Sequence, residues 1–319
     1  MLVGRSVARP RVHPDARPGG LLLPGGRARG GEATGARMTP RDRPTVSVVI
    51  PVRDDAGHLD ACLRALARQT VAPDEVLVVD NASSDASADV ARAAGARVIH
   101  EPVVGIPAAA SAGYDAARSE VIARLDADCV PPADWIERLG DVLAARPDVA
   151  AVTGAARFLD GPRALRGVAA VAYLGAYFAS VTLALGHPPL FGSNFALRRT
   201  AWQDVRSEVH REGTHLHDDI DLSVHLGPER RILIDPRLGM GISMRPLTRP
   251  STLPLRMSRG ITSLTLHWPR ETPWRRWSRT AQRAIDARRA SRATPPGGDA
   301  DAARALSSRE AARRPGPAR

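Results

Sequence analysis

The chain has no lysine: all 45 basic residues among its 319 are arginine. GC-rich coding produces that bias, so it does not by itself mark a phosphate-binding surface. Two cysteines, Cys62 and Cys129, cannot build a disulfide framework or a zinc site on their own. They read as buried thiols in a reducing compartment. Long apolar runs are nearly missing as well. The patch Leu21-Leu-Leu-Pro24 is too short and too far from the start for a signal peptide, and a spanning helix needs about 20 residues. Only the 20 uncharged residues 167–186 reach that length.

Charge of one sign is concentrated at the ends. Residues 1–43 hold nine Arg against three acids and residues 270–319 thirteen against five, so the middle of a chain of net charge +11 is slightly acidic. A nucleic-acid role, which a basic domain would suggest, is therefore not supported. Both ends are rich in Gly, Pro and Arg and lose apolar periodicity, so each is expected to be unstructured. Met38 opens a more ordinary start seven residues before the first strand. The expected organisation is a disordered extension over 1–43, one domain over 44–269 and a basic tail over 270–319. A chain of residues 38–270 is then expected to contain the whole core.

The middle alternates strands and helices. Thr45-Val-Ser-Val-Val-Ile-Pro-Val52 and Glu75-Val-Leu-Val-Val79 are apolar almost throughout, as strands buried on both faces are. Leu59, Cys62, Leu63 and Leu66 recur at helical spacing, with Asp55 as a cap. A helix over 86–94, a strand over 97–100, a helix ending at Ala117 and a strand over 121–125 follow. This order predicts an α/β fold with a mostly parallel, doubly wound sheet and helices on both faces. Residues 231–235 read as a further strand, and residues 245–268 as a segment closing over the site.

Arg124-Leu-Asp-Ala-Asp-Cys-Val-Pro-Pro132 carries two carboxylates two residues apart. On a regular strand Asp126 and Asp128 would share a face, and the prolines stop the strand at a carboxyl-terminal edge, where open sheets bind ligands. Such a pair suits Mg²⁺ or Mn²⁺ held with phosphate oxygens. The competing reading is that both acids cap a helix over 135–145. Asp54 and Asp80 fall at the same edge. In His217-Asp-Asp-Ile-Asp-Leu-Ser223 three acids in four residues exceed what a helix start needs, and their mutual repulsion would raise at least one proton affinity.

Val48-Val-Ile-Pro-Val-Arg-Asp54, Gln69-Thr, Val78-Val-Asp-Asn-Ala-Ser-Ser-Asp85 and Leu125-Asp-Ala-Asp128 resemble the family 2 glycosyltransferases, inverting enzymes of the GT-A fold. Gly192-Ser-Asn-Phe-Ala-Leu-Arg-Arg199 and the 217–223 segment extend the resemblance. It implies a nucleotide diphosphate sugar, UDP- or another, as donor and a hydroxyl acceptor, in cell-envelope or polysaccharide synthesis. It further implies donor contacts from Pro51, Val52, Asp54 (or Asp55), Asp80 and Asp126, a metal on Asp126 and Asp128, and Asp219 as catalytic base. Asn194, Asp218 and His267 are placed on the acceptor or donor-sugar side. The chain departs from the family at Ala109-Ala-Ser-Ala-Gly113, where an arginine that often supports the diphosphate is absent. Phosphate charge then falls to the metal or another arginine, for which Arg198 and Arg199 are candidates. The Gln-X-X-Arg-Trp of processive synthases is also missing. Residues 167–186 are expected to line the acceptor side as a helix whose apolar face has peripheral membrane contact as its other use, at the inner face of a cytoplasmic membrane. Two other functions compete. Sugar-phosphate nucleotidyl transfer would want a basic Gly-rich loop where Pro51-Val-Arg-Asp-Asp-Ala-Gly57 stands, and a non-catalytic nucleotide-sugar-binding protein would not need the acid clusters.

Overall fold

The computed structural model describes residues 43–248 and 253–293. Of the expected extension over 1–43, all but Arg43, which bonds Asp141, lies outside the described residues, as does the end of the tail, 294–319. The elements run β1 (Val46–Val52), α1 (Ala56–Leu66), β2 (Glu75–Asp80), α2 (Ser87–Ala93), β3 (Arg97–His100), α3 (Ile106–Ala116), β4 (Val121–Arg124), α4 (Trp135–Ala145), β5 (Val149–Phe158) and α5 (Arg166–Leu185). Then come β6 (Phe195–Arg198), α6 (Arg199–Val205), α7 (Asp218–Leu226), β7 (Arg231–Ile242), α8 (Arg245–Thr248), α9 (Leu253–Thr265) and α10 (Pro273–Ala293).

Seven strands form one sheet in the order β3-β2-β1-β4-β6-β5-β7. Every pairing is parallel except those of β6, which runs antiparallel between β4 and β5. Alternate residues of β1 face opposite sides, as strand geometry requires. Val46, Val48, Ile50 and Val52 join one core with Leu59, Leu63, Trp135, Leu139 and Leu174. Val49 joins the other with Tyr114, Trp202 and Leu222. Helices α1, α4 and α5 thus cover one face and α3, α6 and α7 the other, the doubly wound arrangement expected. Full burial of one such Val or Leu is worth roughly 1.5–3 kcal/mol, and the core residues of β1, β2 and β4 are almost entirely enclosed.

The close seat of α3 explains Gly113. A Cβ there would lie 2.3 Å from Val49 Cγ1 and 2.9 Å from a Val79 methyl, so this helix reaches the sheet only through a residue without a side chain.

β5 and β6 carry no clear period in the sequence, and β7 extends past Pro236 to Ile242. The proline is tolerated because the β5–β7 register shifts between Gly154 and Ala156, which removes the ladder bond that proline cannot make.

The boundary expected at 269 does not hold. α10 follows it, and Arg276, only 1% exposed, donates from Nε to the Leu185 carbonyl at 2.8 Å and from Nη2 to His187 Nε2 at 2.8 Å. Burial lowers the pKa of His187 to about 4, which keeps that ring neutral and able to accept. Trp277 Nε1 donates to the Leu183 carbonyl at 2.7 Å. Composition misleads here because the apolar stems and donors of a few residues, not the average of the helix, tie α10 to the end of α5. A chain ending at residue 270 lacks these anchors and leaves the end of α5 uncovered.

Candidate active site

β1, β2 and β4 are parallel, so their carboxyl ends open on one edge of the sheet. Val52 is level with Asp80 across β1 and β2. Asp54 adopts φ 50°, a conformation that costs most side chains about 1–2 kcal/mol. Its carboxylate accepts from the Ser84 amide at 2.7 Å and hydroxyl at 2.9 Å, which lowers its pKa. The loops after β1 and β2 are thereby joined. Asp80 accepts from the Ser83 amide at 3.1 Å and lies 3.4 Å from His100 Nδ1. Pro51 is half-buried, and the Val52 side chain is buried while its carbonyl accepts from the Asn81 amide at 2.9 Å.

Asp126 and Asp128 come together, but not as alternate residues of a strand. β4 ends at Arg124, and the acids sit in the turn closed by the Cys129 amide on the Asp126 carbonyl at 3.0 Å. The helix-cap alternative is not what is found, since the residue preceding α4 is Asp134. Asp126 accepts from Arg124 Nη2 at 3.0 Å and from the Ser193 hydroxyl at 2.6 Å. Asp128 accepts from Arg245 Nη2 at 2.5 Å, and the same nitrogen lies 3.0 Å from Asp55. Burial, with the charge of Asp126, raises the pKa of Asp128 even against Arg245. The two carboxylates, within ligand distance of each other, retain free lone pairs and fit a hard divalent cation. Cys129 is beside them, its thiol donating to the Ser193 carbonyl at 3.6 Å and pushed well above the usual range by burial; a hard cation is served by the two carboxylates rather than by a soft sulfur.

Arg124 is 2% exposed and joins two acid clusters. Its Nη2 meets Asp126, and its Nη1 lies 3.3 Å from Asp218 Oδ2. Asp218 and Asp219 begin α7. Asp219 Oδ2 accepts from the Gly192 amide at 2.8 Å and lies 3.2 Å from the Tyr177 hydroxyl, which is also 2.6 Å from the Leu190 carbonyl. A Cβ on Gly192 would sit 2.5 Å from Arg124 Nη1 and 3.0 Å from Asp219 Oδ2, so Gly192 admits both groups. Asp218 has a raised pKa, at about 6. Burial is the main cause, opposed by Arg124 and reinforced by Asp219 and Asp126. The third acid, Asp221, behaves oppositely. Burial would raise it, but the facing His225 and His267 rings and the hydrogen bond from the His210 amide hold it well below the usual carboxylate range.

Residues 47–206, half of the chain, match the family model for glycosyl transferase family 2. This chain is a family 2 glycosyltransferase by descent. Among curated relatives, the glycosyltransferase AglE of Haloferax volcanii is 37% identical over 103 residues, covering 30% of this chain and 34% of that protein. The undecaprenyl-phosphate 4-deoxy-4-formamido-L-arabinose transferase of Pseudomonas fluorescens is 36% identical over 113 residues, 32% of this chain and 33% of that one. The matches thus span about a third of the length of these relatives. A crystal structure of glucosyl-3-phosphoglycerate synthase from Mycobacterium tuberculosis, in complex with Mn²⁺, UDP and glucosyl-3-phosphoglycerate, aligns with 75% of this chain and 85% of its own at a TM-score of 0.51 and 22% identity. That likeness shows a shared GT-A fold.

Within this family 2 site, several expected positions move. Asn194 is fully buried and spent on structure: Oδ1 accepts from Trp135 Nε1 at 2.9 Å, and Nδ2 donates to the Ala155 and Leu238 carbonyls at 2.9 and 2.6 Å. It does not face a sugar. Arg198 is bound to the carbonyls of Val149, Leu143 and Arg146, and Arg199 to that of Ser119; Arg198 is level with Val121, the first residue of β4, so both stand at the end of the strand away from the Asp126/Asp128 turn. His267 groups with His210, Asp221 and His225, a set separate from Asp126 and Asp128. Sequence reading assigned no contact with the acid clusters to Arg245, to Tyr177, which read as a core residue, or to the Ser193 hydroxyl. An arginine 117 residues beyond Asp128 and a tyrosine within an apolar helix carry no local signal of a site.

Proposed function

We propose that the chain transfers a sugar from a nucleotide diphosphate donor to an acceptor hydroxyl with inversion at the anomeric carbon. The observation that carries this reading is Arg124, which links the Asp126/Asp128 turn to the Asp218/Asp219 pair. Asp54, Asp80 and the backbone edge of Pro51 and Val52 are assigned to the nucleoside. Asp126 and Asp128 would hold Mg²⁺ or Mn²⁺, and the ion supplies Lewis-acid neutralisation of a diphosphate leaving group. Arg245 takes the part of the missing phosphate arginine, because it already faces Asp128 and has a second carboxylate, Asp55, to steady it. Asp219 removes the acceptor proton, oriented by the Gly192 amide and Tyr177. A second assignment of the base, to Asp218, is favoured by its pKa of about 6, since a base is most effective when its pKa lies near the working pH. No covalent enzyme intermediate is needed in either case.

A donor screen with added Mn²⁺ or Mg²⁺ tests the reaction class. Release of nucleoside diphosphate only with an acceptor present is expected. Pyrophosphate would mean nucleotidyl transfer, and no release from any donor and acceptor would favour a binding protein.

We further propose that the domain works at the surface of an anionic membrane. α5 is long and apolar enough to cross a bilayer, but Tyr177 ties it to the acid pair, and its outer residues Val168 and Val171 are 73% and 75% exposed. At the other end of α5, where Leu183 is 63% exposed and its carbonyl accepts from Trp277, Trp274 is 61% exposed, and Arg275, Arg279 and Arg283 on α10 are exposed too. An apolar face edged by Trp and Arg suits an interfacial position. The protein should sediment with vesicles containing phosphatidylglycerol and lose this on Val168→Ser with Val171→Ser. Equal sedimentation of the double variant would remove the surface from consideration.

A further inference from the structure

Behind α7, on the far side of the acid pair in sequence order, three histidines surround one carboxylate. Asp221 Oδ1 lies 2.8 Å from His210 Nδ1, 3.2 Å from His267 Nε2 and 3.7 Å from His225 Nε2. The two Nε2 atoms of His225 and His267 are 3.2 Å apart. Tetrahedral zinc with bonds of about 2.0–2.1 Å to nitrogen places its ligand atoms about 3.3 Å from one another. The four distances bracket that edge.

The outer contacts are those of metal ligands. His267 Nδ1 is 2.9 Å from the Ser263 carbonyl, which can only accept, so Nδ1 carries a proton and Nε2 is the nitrogen turned toward Asp221. His225 Nδ1 faces Glu208 at 3.6 Å, a carboxylate that would hold the same tautomer. Asp221 Oδ2 accepts from the His210 amide at 2.8 Å, which leaves Oδ1 to the cluster. Ligating histidines and carboxylates are oriented by such second partners. With Nδ1 protonated, neutral His267 turns an Nε2 lone pair toward both Asp221 Oδ1 and His225 Nε2, acceptor facing acceptor, and a cation satisfies all four atoms together. His225, His267 and Glu208 line a cavity of about 660 Å³, which provides an entry path.

We propose that His210, Asp221, His225 and His267 form a second divalent-metal site, an N3O set suited to zinc. It is separate from the oxygen-rich Asp126/Asp128 turn and is selected by softer donors. The ligands come from the segment before α7, from α7 itself and from the segment after α9. The ion therefore fastens the helix that carries Asp219 to the chain that closes over it.

The test uses the full chain, stripped with chelator and titrated with Zn²⁺ alone, without nucleotide. One zinc per chain is expected, retained by the Asp126→Ala/Asp128→Ala double variant and weakened ~100-fold or more by His267→Ala or Asp221→Asn, at least the loss seen when outer-shell partners are removed. Zinc should also raise the melting temperature of the wild type. Co²⁺ in place of zinc should give the intense visible absorption of a tetrahedral ion, a reading on the wild type that does not depend on any variant folding. His210→Ala alters an exposed residue and should weaken binding with the fold intact by circular dichroism. The proposal is overturned if the wild type takes up no stoichiometric zinc, if Co²⁺ gives only the weak spectrum of an octahedral ion, or if the zinc is lost from the Asp126/Asp128 variant and kept by His210→Ala.

Discussion

Asp219→Asn is expected to lower turnover by roughly 10²- to 10⁴-fold, the range typical of removing a general base, while donor affinity stays close to that of the wild type. The amide keeps the shape and can still accept from the Gly192 amide through its oxygen, so a folding defect is not expected to account for the loss. Donor contacts are assigned to Asp80 and the Asp126/Asp128 turn, to which Asp219 is linked indirectly, through Asp218 and Arg124 and through Gly192 and Ser193. Asp218→Asn should cost less. The two assignments of the base are separated by their pH profiles. If Asp218 is the base, kcat/KM falls as pH drops through about 6, where that carboxyl becomes protonated, and Asp218→Asn is the more damaging change. The assignment to Asp219 fails if its Asn variant turns over near-normally with a competent acceptor.

The second large effect is expected at Asp128. Asp128→Ala should abolish the part of donor affinity that depends on divalent metal. It should not unfold the chain, because burial and Asp126 already disfavour the charged form of this side chain. The change also frees Arg245 from one of its two partners, leaving Asp55 at 3.0 Å. Metal-independent donor binding is therefore expected to remain and to weaken on a further Arg245→Ala. Calorimetry with and without chelator reads both effects. Equal donor affinity of the wild type in the two conditions would contradict the role given to the Asp126/Asp128 turn, and no loss on Arg245→Ala would contradict the role given to the arginine.

The family resemblance and the alternation of buried strands with amphipathic helices were legible in order along the chain. Short-range physics writes them: β-branched runs for strands enclosed on both faces, helical spacing at Leu59, Cys62, Leu63 and Leu66, and polar turns where parallel strands end. The same locality put Asp80, Asp126 and Asp128 on one edge, since parallel strands must open on the same side. It misjudged the geometry of the pair itself, because β4 stops at Arg124 and a turn, not strand alternation, brings the acids together. What α5 packs against, how α10 is anchored by Arg276 and which arginine meets Asp128 were decided by tertiary structure alone. Each is a contact between residues far apart in the chain, and desolvation, the main cause of the raised pKa of Asp218, exists only once the fold has enclosed it. The same reason governs Asn194 and His267. A polar residue's type announces that it will bond, and only the packed neighbours determine whether it meets backbone carbonyls, as Asn194 does, or the side chains of His210, Asp221 and His225, as His267 does.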